Sequence, residues 1–258
     1  MKILAVGDIV GECGVKKLKE ELPKIIEEEK IDFTIVNGEN AASGMGITEK
    51  LFKEMLAAGA DVVTMGNHTW GKKDIFNFID HPSLIRPINY PKGVVGKGYM
   101  IKEKAGKKIA VINAMGRVDI NILTENPFIL LEETVKKLKQ EENVNIIMID
   151  FHAEATAEKI ALGYYLDGKV SGIFGTHTHV ATADETVLTN GTGYITDLGM
   201  TGPIHSVIGM DIDASIKRFV TALPERYKPV EGKAILNGCI FEINNDTCRT
   251  EKIRRITR

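Results

Sequence analysis

DVVTMGNHTW, residues 61–70, joins a short apolar run to a glycine and then to an Asn-His pair. The run has the character of a buried strand, so the pair falls where such a strand ends. An isolated Asn-His dipeptide is compatible with an ordinary hydrogen-bonded loop. Its meaning depends on whether other polar groups arrive at the same place.

Working outward, strand-like runs alternate with amphipathic segments. KILAV (2–6), DFTIVNG (32–38), KKIAVINA (107–114), NIIMIDFH (145–152) and VSGIFGTHTH (170–179) read as further strands. Between them Val15, Leu18, Leu22, Ile25 and Ile26 recur at helical spacing, with Pro23 expected to kink or restart the helix. Thr48 is placed to cap a helix carrying Leu51, Phe52, Met55 and Leu56 that Gly59 would end. Pro127 suits the first turn of a helix continued by Phe128, Leu131, Val135 and Leu138. This alternation argues an α/β fold, and pattern alone favours one doubly wound parallel sheet. Two late hairpins fit that picture poorly. ETVLTNGTGYIT (185–196) turns around Asn190-Gly191, and the C-terminal AILNGCIFEINNDTCRTEKIRRI turns at Asn-Asn-Asp, which suggests antiparallel strands or a second sheet.

The ends of the strands carry the chemistry. AVGDIVG puts Asp8 after the first strand, IVNGENAA puts Glu39 and Asn40 after the second, and Asn67 and His68 follow the third. MIDFHAEAT places His152 at the end of a later strand, and FGTHTHV places His177 and His179 after the next. Alternation along an extended segment would aim the last two rings to one side. Each residue alone has a plain reading as a turn former, loop acid or core histidine. Together they bring four of the six histidines, with matching acids and amides, to loops that converge at the carboxyl edge of a parallel sheet. That coincidence points to a metal centre. Carboxylate, imidazole and amide oxygen with no cysteine suit iron, manganese or zinc, and eight candidate groups exceed what one four-coordinate ion needs. Two ions sharing a bridging carboxylate would use the set, as in enzymes that displace phosphoesters.

Bulk properties narrow the class. The chain has 258 residues, 43% hydrophobic and 26% charged, with a formal net charge of −2, so charge gives no nucleic-acid or membrane footprint. This length suits one domain over residues 1–258. Cys13, Cys239 and Cys248 form no CxxC pair, which suggests a reducing compartment. The N-terminus lacks a signal-like apolar stretch and no run approaches a membrane span, so a cytoplasmic location is expected.

The blocks GDIVG, NGENAA, GNHTW, DFHAEAT and GTHTHV resemble those of the calcineurin-like metallophosphoesterases. They are most similar to the bacterial 2′,3′-cyclic nucleotide phosphodiesterase (YmdB-like) branch. The resemblance covers nearly the whole chain. It implies an α/β fold of two packed mixed β-sheets flanked by helices, a four-layer sandwich that would absorb both hairpins. It also implies that Asp8, Glu39, Asn40 and His179 hold one metal and that Glu39, Asn67, His152 and His177 hold the other, iron first among the candidates and manganese or zinc as alternatives. His68 would stay off the metals and face the substrate. The chain departs from the superfamily at Val10, where a histidine is usual, at Glu39 in place of a bridging aspartate, and at Thr69 after the Asn-His pair.

The reaction expected from this resemblance is hydrolysis of a 2′,3′-cyclic nucleotide by a metal-bridging hydroxide, with His68 as general acid. A phosphatase, an RNA-type phosphodiesterase acting on RNA-derived ends, and a nucleotide-sensing regulatory protein remain as alternatives, and a homo-oligomer is left open. Thr201, Gly202 and His205 in GMTGPIHSVIG are candidate substrate contacts, with a structural loop as the alternative. Trp70 is expected to pack rather than to stack on a base.

Overall fold

The central strands alternate their side chains between two different apolar layers. The structure, a computed structural model, describes residues 1–225 and 228–258. In β1 (Lys2–Val6), Ile3 and Ala5 face one layer while Leu4 and Val6 face another. With β3 (Phe33–Asn37), β4 (Val62–Thr64) and β5 (Leu84–Ile85) it forms the parallel part of a first sheet. The antiparallel hairpin β14 (Asn237–Ile243) and β15 (Thr250–Thr257) completes that sheet, in the order β15-β14-β1-β3-β4-β5.

A second sheet is built from β6 (Tyr99–Lys104), β7 (Lys107–Met115), β8 (Ile146–His152), β9 (Gly172–Thr176), β10 (Thr186–Val187) and β11 (Gly193–Ile195). Its order is β10-β11-β9-β8-β7-β6, with both edge strands antiparallel. Phe33, Ile35, Val111, Met148, Phe174 and Phe241 fill the layer shared by the two sheets. Outside the first sheet lie α1 (Gly11–Glu29) and α2 (Glu49–Ala57), and outside the second lie α3 (Pro127–Gln140) and α4 (Thr156–Tyr165). A small sheet of β2 (Asp8–Ile9), β12 (Met200–Pro203) and β13 (Ala234–Ile235) sits beside them, and α5 (Ile212–Thr221) follows β12. Among the described residues no helix is long and apolar enough to cross a membrane.

The fold is therefore the four-layer sandwich, and the single doubly wound sheet is wrong. A strand buried on both faces looks the same in sequence whether a helix or a second sheet covers it. The hairpins form where expected, but 186–195 extends the second sheet and 237–257 the first. Pro23 does not interrupt α1, which is assigned as one helix. Proline in a helix interior costs about 3 kcal/mol. Leu18, Leu22 and Ile25 are fully buried on that helix, each worth about 1.5–3 kcal/mol, so packing wins. Thr48 Oγ1 accepts from Leu51 N at 3.4 Å, and Asn126 Oδ1 from Phe128 N at 3.0 Å, which caps α2 and α3. The strand β6 was not anticipated, because YMIKEK is polar toward its edge; α4 and α5 were not anticipated either.

The sheets are also pinned together by a polar contact. Asp150 on β8 is fully buried and accepts from Asn37 Nδ2 at 3.1 Å and Thr64 Oγ1 at 2.5 Å, both on the first sheet. Its other oxygen accepts from Thr176 Oγ1 at 2.7 Å. Burial pushes this carboxyl up to about 6, against the lowering pull of His152 and the hydroxyl hydrogen bonds. Asp150→Ala would strand three buried donors, each costing about 1–3 kcal/mol. Urea unfolding should show a loss of about 3 kcal/mol or more, with a smaller loss for Asp150→Asn; an unchanged midpoint in the alanine variant would refute the clamp.

Candidate metal centre

Gly66 explains itself in space. A Cβ there would lie 2.4 Å from Glu39 Oε2 and 2.4 Å from His152 Nε2, so only a glycine lets these side chains meet over the end of β4. Thr69 Oγ1 donates to Gly66 O at 2.6 Å and closes the turn. Trp70 stacks on Phe76 with ring centres 5.5 Å apart and meets Tyr90 edge-on, a packing role.

Four groups converge on one space. His152 Nε2 lies 3.0 Å from Glu39 Oε1, 2.8 Å from Asn67 Oδ1 and 2.9 Å from His177 Nδ1. The tautomer of His152 follows from its far side. Thr176 Oγ1 gives its hydrogen to Asp150, so it accepts from His152 Nδ1 at 2.9 Å, which turns Nε2 toward Glu39 and its neighbours. Burial opposes a charge on His152, but Glu39 more than compensates, and the imidazole is raised to about 9. Burial likewise works to raise Glu39, yet attraction and hydrogen bonding to His152, with His68 nearby, hold it at about 2. His177 is pushed down to about 3, first by burial and then by its neighbour His152. The negative charge of the cluster thus favours a positive charge at its centre, and a cation fits there.

A second group of donors adjoins the first. Asp8 is fully buried, and burial raises its carboxyl. Its Oδ2 accepts from His177 N at 3.1 Å, whereas Oδ1 has no hydrogen-bond partner among the described residues. A buried carboxylate oxygen left in that state is what an absent positive charge would satisfy. The Asn40 amide is satisfied when its nitrogen donates to Glu39 Oε1 (3.0 Å) and His68 Nδ1 (3.2 Å) and its oxygen faces His179 Nε2 at 2.9 Å. His179 Nδ1 meets the carbonyl of Ile208 at 2.8 Å, which orients the ring.

His177 and His179 do not reach the site by alternation along an extended segment. Both have positive φ, 104° and 65°, so the chain coils here. The backbone of Thr178, between them, donates to Asp197 Oδ2 at 3.2 Å. Asp197 is paired at 2.6 Å with Lys159 of α4, both about 1% exposed, and also accepts from Gly199 N at 2.8 Å. This buried ion pair fixes the loop that carries the two histidines.

Asp8, Glu39, Asn40, Asn67, His152, His177 and His179 are therefore brought together, with Glu39, His152 and His177 offering atoms within 4.8 Å of one another. His68 stands at the rim, its backbone N–H on Glu39 Oε2 at 2.9 Å and its side chain 31% exposed. Thr201, Gly202 and His205 are not brought to the cavity over the cluster. The first two lie in β12, where Thr201 O accepts from Val10 N and Gly202 packs on Val10, and His205 is exposed in the following turn. Sequence reading missed Glu154, 3.0 Å from His177 Nε2, and the supporting Asp150, Thr176, Lys159 and Asp197. Asp150 was visible in principle, since it shares a face of β8 with His152 two residues on.

Carboxylates, imidazoles and amides gathered at the strand ends of a two-sheet sandwich define a calcineurin-like metallophosphoesterase. The chain belongs to the YmdB-like protein family, whose model matches residues 4–256. A Bacillus subtilis (strain 168) protein named 2′,3′-cyclic-nucleotide 2′-phosphodiesterase is 49% identical over 257 residues, 99% of this chain and 96% of its own length. The crystal structure of a novel phosphatase from Mycoplasma pneumoniae has a TM-score of 0.94 at 36% identity, covering 100% of this chain and 93% of that one. That of a hypothetical protein from Thermus thermophilus has a TM-score of 0.93, also at 36% identity, covering 100% and 99%.

Gly66→Ala should separate Glu39 from His152 without touching a donor atom. Metal affinity is expected to fall by about 10–100-fold, measured by titration against a chelator, while circular dichroism stays native. Undiminished affinity would show that this close approach is dispensable.

Proposed function

We propose that this chain, one metallophosphoesterase domain over residues 1–258, is a metal-dependent phosphodiesterase that hydrolyses 2′,3′-cyclic nucleotides. Asp8, Glu39, Asn40 and His179 would hold one ion and Glu39, Asn67, His152 and His177 a second, with Glu39 shared; iron is the first candidate, manganese or zinc the alternatives. Bound there, such ions supply positive charge to phosphate oxygens and lower the pKa of a water for attack on phosphorus. The substrate class is supported by the named activity of the Bacillus subtilis relative.

The observation that carries the reading is the separation of His68 from the buried donors. His68 Nε2 has no protein partner among the described residues; as an imidazolium, the form that can act as an acid, the ring would present an Nε2–H to the cavity. The ring lines the cavity beside Glu39, Asn40, His177 and His179. It is placed to give that proton to the departing ribose oxygen as the new bond from water to phosphorus forms. The products are a phosphomonoester and a free hydroxyl. The tether from His68 N to Glu39 keeps the acid in register with the cluster.

A panel of cyclic nucleotides, linear diesters and monoesters with defined metals tests the substrate class; faster turnover of monoesters would overturn it. His68→Ala should retain two ions per chain while kcat on 2′,3′-cyclic AMP falls about 100-fold or more. The loss should shrink on a nitrophenyl diester, whose leaving group needs no proton. His177→Ala should lower metal content and harm both substrates alike. Equal losses in His68→Ala on both leaving groups, with metal intact, would remove its role as acid.

A further inference from the structure

The cavity over the cluster has two unlike walls. One is polar and chemical: Glu39, Asn40, His68, His177 and His179. Another part of its lining is apolar, made by Val207, Ile208, Met210 and Phe219, and the cavity is about 330 Å³, within the range of small-molecule sites. Phe219 is 80% exposed and has no ring contact among the described residues. A large aromatic group bare to solvent at the mouth of a charged site is an unfilled contact surface.

This wall is built, not incidental. Ile208 holds φ +48°, a conformation that β-branched residues rarely adopt. There its carbonyl meets His179 Nδ1 at 2.8 Å while its side chain lines the cavity. Paired backbone bonds between Val207 and Met210, both 2.9 Å, close the turn around it. Ser215, one helical turn before Phe219 on the same face of α5, is buried, and its hydroxyl donates to Asp211 O at 2.6 Å within the first turn of the helix. The carbonyl of Ile208 thus links the apolar lining to the loop that carries His179.

We propose that Phe219, with Ile208 and Met210 beside it, is the platform for the base of the nucleotide. The inference rests on the cyclic-nucleotide reading above. A cyclic nucleotide has an anionic phosphate at one end and a flat heteroaromatic base at the other, and the two walls match those two ends. The phosphate goes to the donor cluster and the base lies on the Phe219 ring. Stacking is tolerant of base identity, and a purine covers more of the ring than a pyrimidine, so purine substrates are favoured. Phe219 then determines specificity without taking part in bond breaking.

The test compares 2′,3′-cyclic AMP with methyl riboside 2,3-cyclic phosphate, which has the same reacting ring and no base. Wild-type enzyme should prefer the nucleotide. Phe219→Ala should lower kcat/KM for the nucleotide about 10-fold, chiefly through KM, leave the baseless ester unchanged, and be rescued by Phe219→Trp. Equal loss on both esters, or no loss on either, would overturn the platform. Ile212, Ile216, Val220 and Leu223 continue the exposed apolar stripe along and beyond α5, so sedimentation is measured in parallel. If Phe219→Ala dissociates an oligomer and both activities fall with dissociation, the helix is a contact between copies and the platform is wrong. If wild type turns over neither cyclic ester, the parent reading fails and the inference falls with it.

Discussion

The carboxylate of Asp150 lies fully buried between two sheets and is shared by both. Burying an acid is unfavourable unless its lone pairs are satisfied. Here Asn37, Thr64 and Thr176 satisfy them, one donor from each of three strands. The requirement sets the distance between the carboxyl ends of the sheets. It also orders Thr176, whose oxygen then has to accept from His152, and so the inner imidazole faces the cluster with Nε2. The chemistry at the surface is thus oriented by a hydrogen-bond chain rooted in the interface of the sandwich. Apolar packing in the shared layer brings the sheets together; this chain fixes where their ends stand.

Much of the site was legible in the sequence, because polar residues at the ends of apolar strands have one economical explanation. Asp8, Glu39, Asn67 and His152 each follow or end a strand, and chain connectivity delivers them to the same edge. His177 and His179 were recognised for the wrong reason. Their convergence depends on left-handed backbone held by Asp8, Asp197 and Ile208, contacts between segments far apart in the chain. The period of a sequence carries no trace of such contacts. Thr201 was read in a loop and lies instead in a short strand of a third sheet, because such a strand next to a glycine looks like a polar loop until its pairing with β2 is seen.

The fold was legible only to the level of alternating strands and helices. Nothing in KKIAVINA tells whether Ile109 and Val111 meet a helix or another sheet, and here they meet the first sheet. The two late hairpins suggested antiparallel strands or a second sheet, and the resemblance of the five blocks to a known superfamily implied the packed pair of sheets. Pro23 shows the same limit on a smaller scale. A local rule forbids it, and the burial of Leu18, Leu22 and Ile25 overrules the rule.

The ion pair of Lys159 and Asp197 has a consequence for how this protein can change over generations. Losing either charge alone would leave the other stranded in the interior, typically at a cost of about 3–5 kcal/mol, a large share of the stability of a domain. Replacing both by apolar side chains of similar volume is far milder in such cases. The two charges are therefore tied to one another energetically, and a change at one calls for a change at the other. Since Asp197 also holds the backbone between His177 and His179, even the paired replacement would leave the N–H of Thr178 without its acceptor. A residue on an outer helix is in this way bound to the inheritance of the loop that carries His177 and His179.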